Sequence, residues 1–194
     1  METRSVILLG VGGQGILLAS EILAKAAMFA GYDVKTNEVH GMAQRGGSVT
    51  AQVRYGRNVA SPLIPVGGAC AVASLECIEA LRAHELLTPG GKVVVNTQKI
   101  VPVTVSSGAM TYPADAEERL KKLYPGAILL DAGAIAADLG NIKAANVVIM
   151  GALSTALDDL PEDAWDKALA AAVKPQHLEL NRKAFARGRE FAKA

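Results

Sequence analysis

Runs of apolar residues alternate along the chain with segments of helical periodicity. Residues 6–9 are four consecutive aliphatic side chains, a pattern typical of a strand that is covered on both faces. Residues 16–30 instead place apolar side chains at helical spacing, and Gly31 follows where such a helix ends. Further strands are predicted at residues 33–39, 49–55, 69–75, 92–96 and 127–131. The pattern predicts an α/β protein with a three-layer α/β/α, Rossmann-like open sheet that is mostly parallel.

The remaining helices are predicted in the connections between later strands and in the C-terminal part. They fall at residues 76–87, 132–139 and 146–157, between Asp115 and Tyr124, and over about 161–191. Glu76 begins the first of them, where an acid suits a helix N-terminus, and we interpret Glu76 and Arg82 as structural. No linker or repeat divides the sequence, so residues 1–194 are expected to form a single domain with the C-terminal helices packed on it.

Two proline-containing segments indicate local breaks in this pattern. Residues 89–91 are Pro-Gly-Gly, which predicts a turn before the strand at residues 92–96. Residues 100–105 contain Pro102, which cannot donate a hydrogen bond to a central strand ladder. We therefore expect residues 100–105 to form a short edge strand.

The composition excludes several classes of function. The net charge is +1 and aromatic residues make up 4% of the chain, so neither the basic surface nor the stacking side chains of a nucleic-acid-binding protein are available. No apolar run approaches the roughly 20 residues that span a bilayer, and the N-terminus lacks a targeting pattern. We expect a cytoplasmic protein without nucleic-acid or membrane partners.

Cysteine and histidine are too few and too scattered for a metal site. The two cysteines, Cys70 and Cys77, lie seven residues apart with no others to complete four ligands, so the chain alone cannot hold an iron–sulfur cluster. The histidines, His40, His84 and His177, have no second ligand at a useful spacing. No general base or nucleophile of obvious identity is present either, and we predict neither metal-binding nor catalytic residues.

A glycine-rich turn after the first strand is the main candidate for ligand binding. Gly10, Gly12 and Gly15 have the spacing G-x-G-x-x-G, and Gly13 and Gln14 complete the segment. The missing Cβ atoms permit a tight turn, and the following helix presents N–H groups and a positive dipole end to an anion. We predict that these five residues bind a phosphate-bearing ligand. The alternative is a turn that only packs the helix against the strand, because the bare spacing is a weak signal.

Four further residues are candidates for the same site. Glu38 lies about 20 residues beyond the turn, where a dinucleotide-binding fold has an acid for the ribose hydroxyls, although an ordinary exposed acid fits as well. Arg45 and Gly46 belong to a glycine-framed loop in which a guanidinium suits a phosphate or carboxylate, although a merely solvated arginine is an equal alternative. Asn96 ends a predicted central strand on the side of the sheet where ligands bind.

The sequence around these candidates resembles a known family. The turn at residues 10–15 and the segment Gly-Met-Ala-Gln-Arg-Gly-Gly-Ser-Val at residues 41–49 resemble the gamma-type module of the 2-oxoacid:ferredoxin oxidoreductases, most closely the beta subunits of the indolepyruvate-oxidising branch. The similarity continues in order through residues 61–64, 76–82, 95–97, 102, 146–148, 151–153, 181 and 184–185. Cys70 departs from the pattern, since the family usually has an aspartate there.

The resemblance implies a function shared between subunits. The family oxidatively decarboxylates a 2-oxoacid, here indolepyruvate or another arylpyruvate, to an acyl-CoA and reduces ferredoxin. It implies that thiamine diphosphate, Mg and 4Fe-4S clusters belong to a large alpha subunit, and that this chain is a companion subunit that binds none of them and is inactive alone. Its glycine turn and Arg45 loop would form a wall of the shared active site or hold coenzyme A. Without the partner, an apolar surface is expected to favour a homodimer.

Two other functions stay open from the residues themselves. The first is an NAD- or FAD-binding oxidoreductase that acts alone, which predicts tight dinucleotide binding by the isolated chain. The second is a non-catalytic assembly module, which would restore the stability of a complex without changing its affinity for substrate.

Overall fold

A six-stranded sheet forms the centre of the fold in the computed structural model, which describes residues 2–40, 47–100 and 111–194. The strands are β1 (Arg4–Val11), β2 (Asp33–His40), β3 (Ser48–Gly56), β4 (Ala69–Ser74), β5 (Leu87–Asn96) and β6 (Ile128–Leu130).

The strand order is β2-β3-β1-β4-β5-β6, and the sheet is mixed. β1, β4, β5 and β6 pair in parallel, whereas β3 pairs antiparallel with both β1 and β2. Because β2 is antiparallel to β3, it points the same way as β1, and β3 is the one reversed strand of the six. The expectation of an open, mostly parallel α/β sheet is confirmed, with a β2–β3 hairpin whose returning strand lies against β1.

Helices cover both faces of this sheet. They are α1 (Ile16–Phe29), α2 (Cys77–Arg82), α3 (Ala116–Leu123), α4 (Ala132–Asp138), α5 (Ala145–Ser154), α6 (Glu162–Ala172) and α7 (Leu178–Lys193), with short 3₁₀ turns at His84–Leu86, Ile142–Ala144 and Pro175–His177. The helices α1, α4, α5, α6 and α7 share one hydrophobic layer, and α2 and α3 cover β5 on the other face.

β1 is buried on both faces, as its run of aliphatic residues predicts. Val6 and Leu8 pack into the layer of α1 and α5, whereas Ile7 and Leu9 pack against Val72 on the opposite face. Burying one such side chain contributes about 1.5–3 kcal/mol to folding. The alternation fixes the register of β1 in the sheet, because a slip by one residue would exchange the two faces.

Two glycines let the C-terminal helices approach backbone to backbone. A Cβ atom on Gly151 of α5 would lie 2.0 Å from the carbonyl oxygen of Phe185, and one on Gly188 of α7 would lie 1.9 Å from that of Val148. Neither distance can be met by a real side chain, so the crossing of α5 and α7 requires glycine on both helices. The small residues of the predicted helix at 146–157 serve this close packing.

Two predicted elements differ in extent from those observed. The helix predicted at residues 76–87 ends at Arg82, because Leu87 already pairs with Ala69 as part of β5. The turn predicted at residues 89–91 lies inside β5 at a register shift: Leu87 pairs with Ala69, and the next pair in the ladder joins Ala71 to Lys92. The edge strand predicted at residues 100–105 lies, except for its first residue, outside the described residues.

The two edges of the sheet are unequal. β6 has three residues, whereas β2 has eight, most of them exposed, and the Val39 side chain keeps 56% of its surface accessible. Across the three described ranges, every helix is too short or too polar to cross a membrane.

Candidate functional site

The carboxyl ends of β1 and β4 lie side by side at the centre of the sheet. The two strands pair in parallel, and the Leu75 N–H that follows β4 donates to the Leu9 carbonyl of β1 at 2.8 Å. The chain then leaves β1 through α1 on one face and leaves β4 through α2 on the other. Open α/β sheets bind their ligands at such a switch point.

The glycine turn between β1 and α1 occupies this position. Gly13 and Gly15 have φ angles of +102° and +81°, a region that other residues adopt only with strain. The Gly12 N–H donates to the Gly47 carbonyl at 2.8 Å, which joins the turn to the start of β3. Gly15 is the N-cap of α1, and no side chain in the described part of the chain caps this helix end. The first N–H groups of α1 therefore remain open to an anion.

The predicted glycines meet different surroundings. A Cβ atom on Gly10 would lie 2.8 Å from Cδ1 of Ile16, and one on Gly15 would lie 2.5 Å from Nδ2 of Asn146, so both positions are closed by neighbours. A Cβ atom on Gly13 would meet no atom of the described residues within 4 Å. Gly13 is thus the point at which the turn is exposed to a ligand.

Gln14 braces the turn with its side-chain amide. Its Oε1 accepts from the Val11 N–H at 2.8 Å, and its Nε2 donates to the Leu75 carbonyl at 2.7 Å and to Oε1 of Gln98 at 3.2 Å. These bonds link the ends of β1 and β4 to the segment after β5. Both the oxygen and the nitrogen of the Gln14 amide are therefore bonded to other atoms of the chain.

Asn96 is buried at the end of β5 and also bonds internally. Its Oδ1 accepts from the Ala132 N–H at 3.0 Å and from the Gln98 N–H at 3.4 Å, while its Nδ2 donates to the Leu75 carbonyl at 3.3 Å. The side chain therefore joins β5 to the start of α4. Gln14 and Asn96 both contribute to the wall of the cavity at the turn, with their amides bonded to other parts of the chain.

Two cavities flank the glycine turn. One, of about 650 Å³, opens toward α5 and is lined by the turn and by Leu75, Gln98, Ile142, Lys143 and Asn146 among others. The other, of about 600 Å³, opens toward β3 and is lined by apolar residues of α1 with His40 and Val49. The described lining of the first cavity includes no Asp or Glu, and the exposed Lys143 adds a positive charge to it.

The other predicted candidates have different outcomes. Arg45 and Gly46 lie outside the described residues, so their loop stays a prediction. Glu38 accepts a hydrogen bond from Ser20 of α1 at 2.9 Å, and β3 separates its strand from β1. It therefore does not take the place beside β1 that a dinucleotide-binding fold gives to its ribose-binding acid.

Sequence reasoning did not identify three residues of the site. Lys143 and Asn146 come from the region before and within α5, and Gln98 comes from the segment after β5. The sequence offered a signal for Gln98, because it follows Asn96, a predicted site residue at a strand end, by two positions. Asn146 lies within the resemblance at residues 146–148, but its 3.1 Å bond to the Gly15 carbonyl, across 131 residues, needs the tertiary fold. Lys143 had no signal in the sequence.

Glu76 has the structural role that its position indicated. Its carboxylate is 1% exposed and caps α2 by accepting from the Ile78 and Glu79 N–H groups. The Tyr112 hydroxyl also donates to it at 2.6 Å. Burial and then this bond raise the pKa of Tyr112, so the phenol stays protonated.

The cysteines have no metal-binding arrangement. Burial, followed by the negative charge of Glu76, raises the pKa of the Cys77 thiol to about 11, and its Sγ lies 3.7 Å from the Asn96 carbonyl oxygen. Cys70 donates instead to the Ser5 carbonyl on β1. Within residues 2–40, 47–100 and 111–194, no three His, Cys, Asp or Glu side chains group as metal ligands.

Comparison with known proteins gives matches over nearly the whole chain. The model of the pyruvate ferredoxin/flavodoxin oxidoreductase family matches residues 5–191. The indolepyruvate oxidoreductase subunit IorB of Thermococcus kodakarensis is 41% identical, and the alignment covers 100% of this chain and 98% of that protein.

Solved structures show the same fold. Pyruvate oxidoreductase subunit PORC of Thermotoga maritima superposes with a TM-score of 0.74 at 25% identity, over 98% of this chain and 97% of that one. A chain of 2-oxoglutarate:ferredoxin oxidoreductase from Magnetococcus marinus, with 2-oxoglutarate, coenzyme A and succinyl-CoA bound, has a TM-score of 0.73 at 20% identity, over 100% of this chain and 31% of that one.

Proposed function

The chain belongs to the pyruvate ferredoxin/flavodoxin oxidoreductase family, and from that membership we propose that it is the subunit without redox cofactors in an indolepyruvate or arylpyruvate:ferredoxin oxidoreductase. Such an enzyme decarboxylates a 2-oxoacid, transfers the acyl group to coenzyme A and passes two electrons to ferredoxin. The 41% identity to an indolepyruvate oxidoreductase subunit over the full chain supports this substrate class. We treat residues 1–194 as one gamma-type domain of that enzyme.

The redox cofactors are assigned to a partner alpha subunit. Thiamine diphosphate with Mg would supply the carbanion chemistry of decarboxylation, and 4Fe-4S clusters would carry the electrons. The donor set of this chain does not fit these groups, because its two cysteines are held apart in separate hydrogen bonds and the thiol of Cys77 is buried and protonated. We therefore derive no redox step on this chain.

The role left to this chain is to hold coenzyme A, which would supply the acyl-accepting thiol. The observation that carries this proposal is the cavity of about 650 Å³ at the glycine turn, which combines the uncapped N-terminus of α1 with Lys143 and has no acid in its described lining. Phosphate groups suit such a surface, because backbone N–H groups and a lysine ammonium both favour negative charge. Gly13 leaves room for the approach.

The strand order argues against the rival assignment to a stand-alone dinucleotide enzyme. In the classic dinucleotide-binding order the second strand lies next to the first and presents its acid to the ribose. Here β3 lies between β1 and β2, and Glu38 bonds to Ser20. A non-catalytic assembly module is the remaining alternative, and it makes a different prediction for ligand affinity.

Reconstitution of this chain with its alpha subunit tests the proposal. Lys143→Ala should weaken the binding of coenzyme A to the complex by about fivefold, as expected for one partly exposed charge on a phosphate. The matched control is Lys122→Ala, an equally exposed lysine on α3 at the other face of the sheet. The affinity should also fall with added salt in the parent complex, and less so in the Lys143→Ala complex.

Three outcomes separate the candidate functions. Unchanged coenzyme A affinity in both Lys143→Ala and Arg45→Ala complexes would leave the turn a structural feature and favour the assembly module. Tight NAD or FAD binding by the isolated chain would favour the stand-alone enzyme. Oxidation of a 2-oxoacid by the isolated chain would contradict the division of labour between the subunits.

A further inference from the structure

Three side-chain amides form one connected network along the wall of the cavity at the glycine turn. The first, Gln14, is oriented by backbone groups: its Oε1 can only accept from the Val11 N–H, and its Nε2 can only donate to the Leu75 carbonyl. The second, Asn96, is fixed in the same way by the Ala132 N–H and by the same Leu75 carbonyl. Neither amide can flip without placing two donors or two acceptors against each other.

Both amides then act on a third, that of Gln98. The Nε2 of Gln14 donates to Oε1 of Gln98 at 3.2 Å, and the Nδ2 of Asn96 donates to the same oxygen at 3.4 Å. The backbone N–H of Gln98 donates to Asn96 Oδ1 at 3.4 Å, which holds the main chain of this residue in place. Two N–H donors at one oxygen define which end of the Gln98 amide is the carbonyl.

The other end of the Gln98 amide is consequently a donor with no partner in the described part of the chain. Gln98 is exposed and lines the same cavity as Gly13 and Lys143. Its Nε2 carries two N–H groups, which can bond only to acceptors. The turn N–H groups, the Lys143 ammonium and the Gln98 amide therefore all offer hydrogens to whatever occupies the cavity.

We infer that Gln98 is a ligand-binding residue whose amide N–H groups donate to a phosphate oxygen of coenzyme A. This inference rests on the proposed function and adds a second phosphate-binding side chain to Lys143, from the segment after β5. A phosphate fits because every donor of the site needs an acceptor, and phosphate oxygens accept from several donors at once. Gln14 and Asn96 keep the donor end of Gln98 turned outward.

The test compares two substitutions of Gln98 in the complex reconstituted with the alpha subunit. Gln98→Leu removes the donor, and Gln98→Glu replaces it with a negative charge of nearly the same shape. Gln98→Leu should raise the dissociation constant for coenzyme A by about tenfold, and Gln98→Glu should raise it further, as expected for loss and then reversal of a charge-assisted hydrogen bond. The matched controls are Gln176→Leu and Gln176→Glu, at an exposed glutamine before α7.

The results distinguish this inference from the function on which it rests. Weaker binding in Lys143→Ala with unchanged binding in both Gln98 variants would overturn the role of Gln98 and leave the coenzyme A site in place. Unchanged binding in all three variants would overturn the role of Gln98, and unchanged binding in Arg45→Ala as well would overturn the function on which it rests. Subunit assembly is measured alongside by size-exclusion chromatography, and a Gln98 variant that loses assembly while its remaining complex binds coenzyme A normally also counts against the inference.

Discussion

Glycines in two regions of the molecule are there for opposite reasons. At the crossing of α5 and α7, Gly151 and Gly188 have no side chain because the facing backbone carbonyl oxygens lie where Cβ atoms would be, at 2.0 and 1.9 Å. At the turn after β1, Gly13 faces open space, and its φ angle of +102° is what requires glycine. Gly151 and Gly188 let two helices pack so closely that no side chain fits between them, whereas Gly13 leaves room for a ligand to approach the turn.

The difference separates stability from ligand access. A side chain added at Gly151 or Gly188 must push α5 and α7 apart, because backbone atoms cannot rotate away as the end of a side chain can. A side chain added at Gly13 strains the backbone of that residue and narrows the path of a ligand to the N-terminus of α1. Five substitutions by alanine, one of them a control, put the comparison to the test.

The largest effect is expected at the helix crossing. Gly188→Ala should destabilise the chain by about 3 kcal/mol, at the upper end of the range for overpacking, even though alanine favours helix by about 1 kcal/mol over glycine. Gly151→Ala should behave alike, since its Cβ would meet the Phe185 carbonyl on the same interface. Urea denaturation of the two variants measures this. If both variants lose less than about 1 kcal/mol of unfolding free energy, α5 and α7 can move apart easily.

Gly15→Ala should have the next largest effect, because Gly15 has both a positive φ angle and a close neighbour where a Cβ atom would lie. Its φ angle of +81° costs about 1–2 kcal/mol for a residue with a Cβ atom, and that atom would displace the Asn146 amide from its bond to the Gly15 carbonyl. A total of about 2–3 kcal/mol is expected. A double-mutant cycle with Asn146→Ala isolates the steric part, which should vanish in the double variant while the backbone strain remains.

Gly13→Ala should destabilise the chain by about 1–2 kcal/mol through backbone strain alone, since the new methyl group meets nothing within 4 Å. Its second effect should be on function: the affinity of the reconstituted complex for coenzyme A should fall, because the methyl group lies at the open side of the turn. Calorimetric titration measures this. A loss of stability with full affinity would place the ligand elsewhere on the chain.

Gly126→Ala should have the smallest effect and serves as the control for the other four variants. Gly126 has an ordinary φ angle and open space around it. Alanine there should stabilise the chain by about 0.4–1 kcal/mol through the unfolded state. Thermal unfolding would show a raised midpoint, and a marked loss of stability would mean that open space is a poor guide to the cost of a Cβ atom in this fold.

Most of the architecture could be predicted from the sequence because it follows from local patterns. The aliphatic run of β1, the helical spacing of α1 and the glycines that end elements are read directly from neighbouring residues. The strand order could not be predicted. Nothing local to Ser48–Gly56 indicates that β3 turns back to pair with β1, since this depends on competition among all possible partner strands.

The candidate site shows the same division. The glycine turn was predicted because its backbone conformation depends on the residue types within residues 10–15. Gln14 was placed in the turn and Asn96 at the end of a strand, as observed, but two of their hydrogen-bond partners, Leu75 and Ala132, come from distant segments. Polarity at a strand end could not reveal whether an amide bonds to a ligand or to the protein, because both uses place the same residue type at the same position.

The unequal edges of the sheet bear on how this protein must be produced. β2 is the eight-residue outer strand of the described sheet, and three of its residues, Asp33, Lys35 and Glu38, carry the charges by which edge strands resist pairing with another polypeptide. That protection covers only part of the strand. If the chain is made without the partner subunit proposed above, we expect this edge to favour aggregation. Making both polypeptides together should then raise the yield of the folded chain.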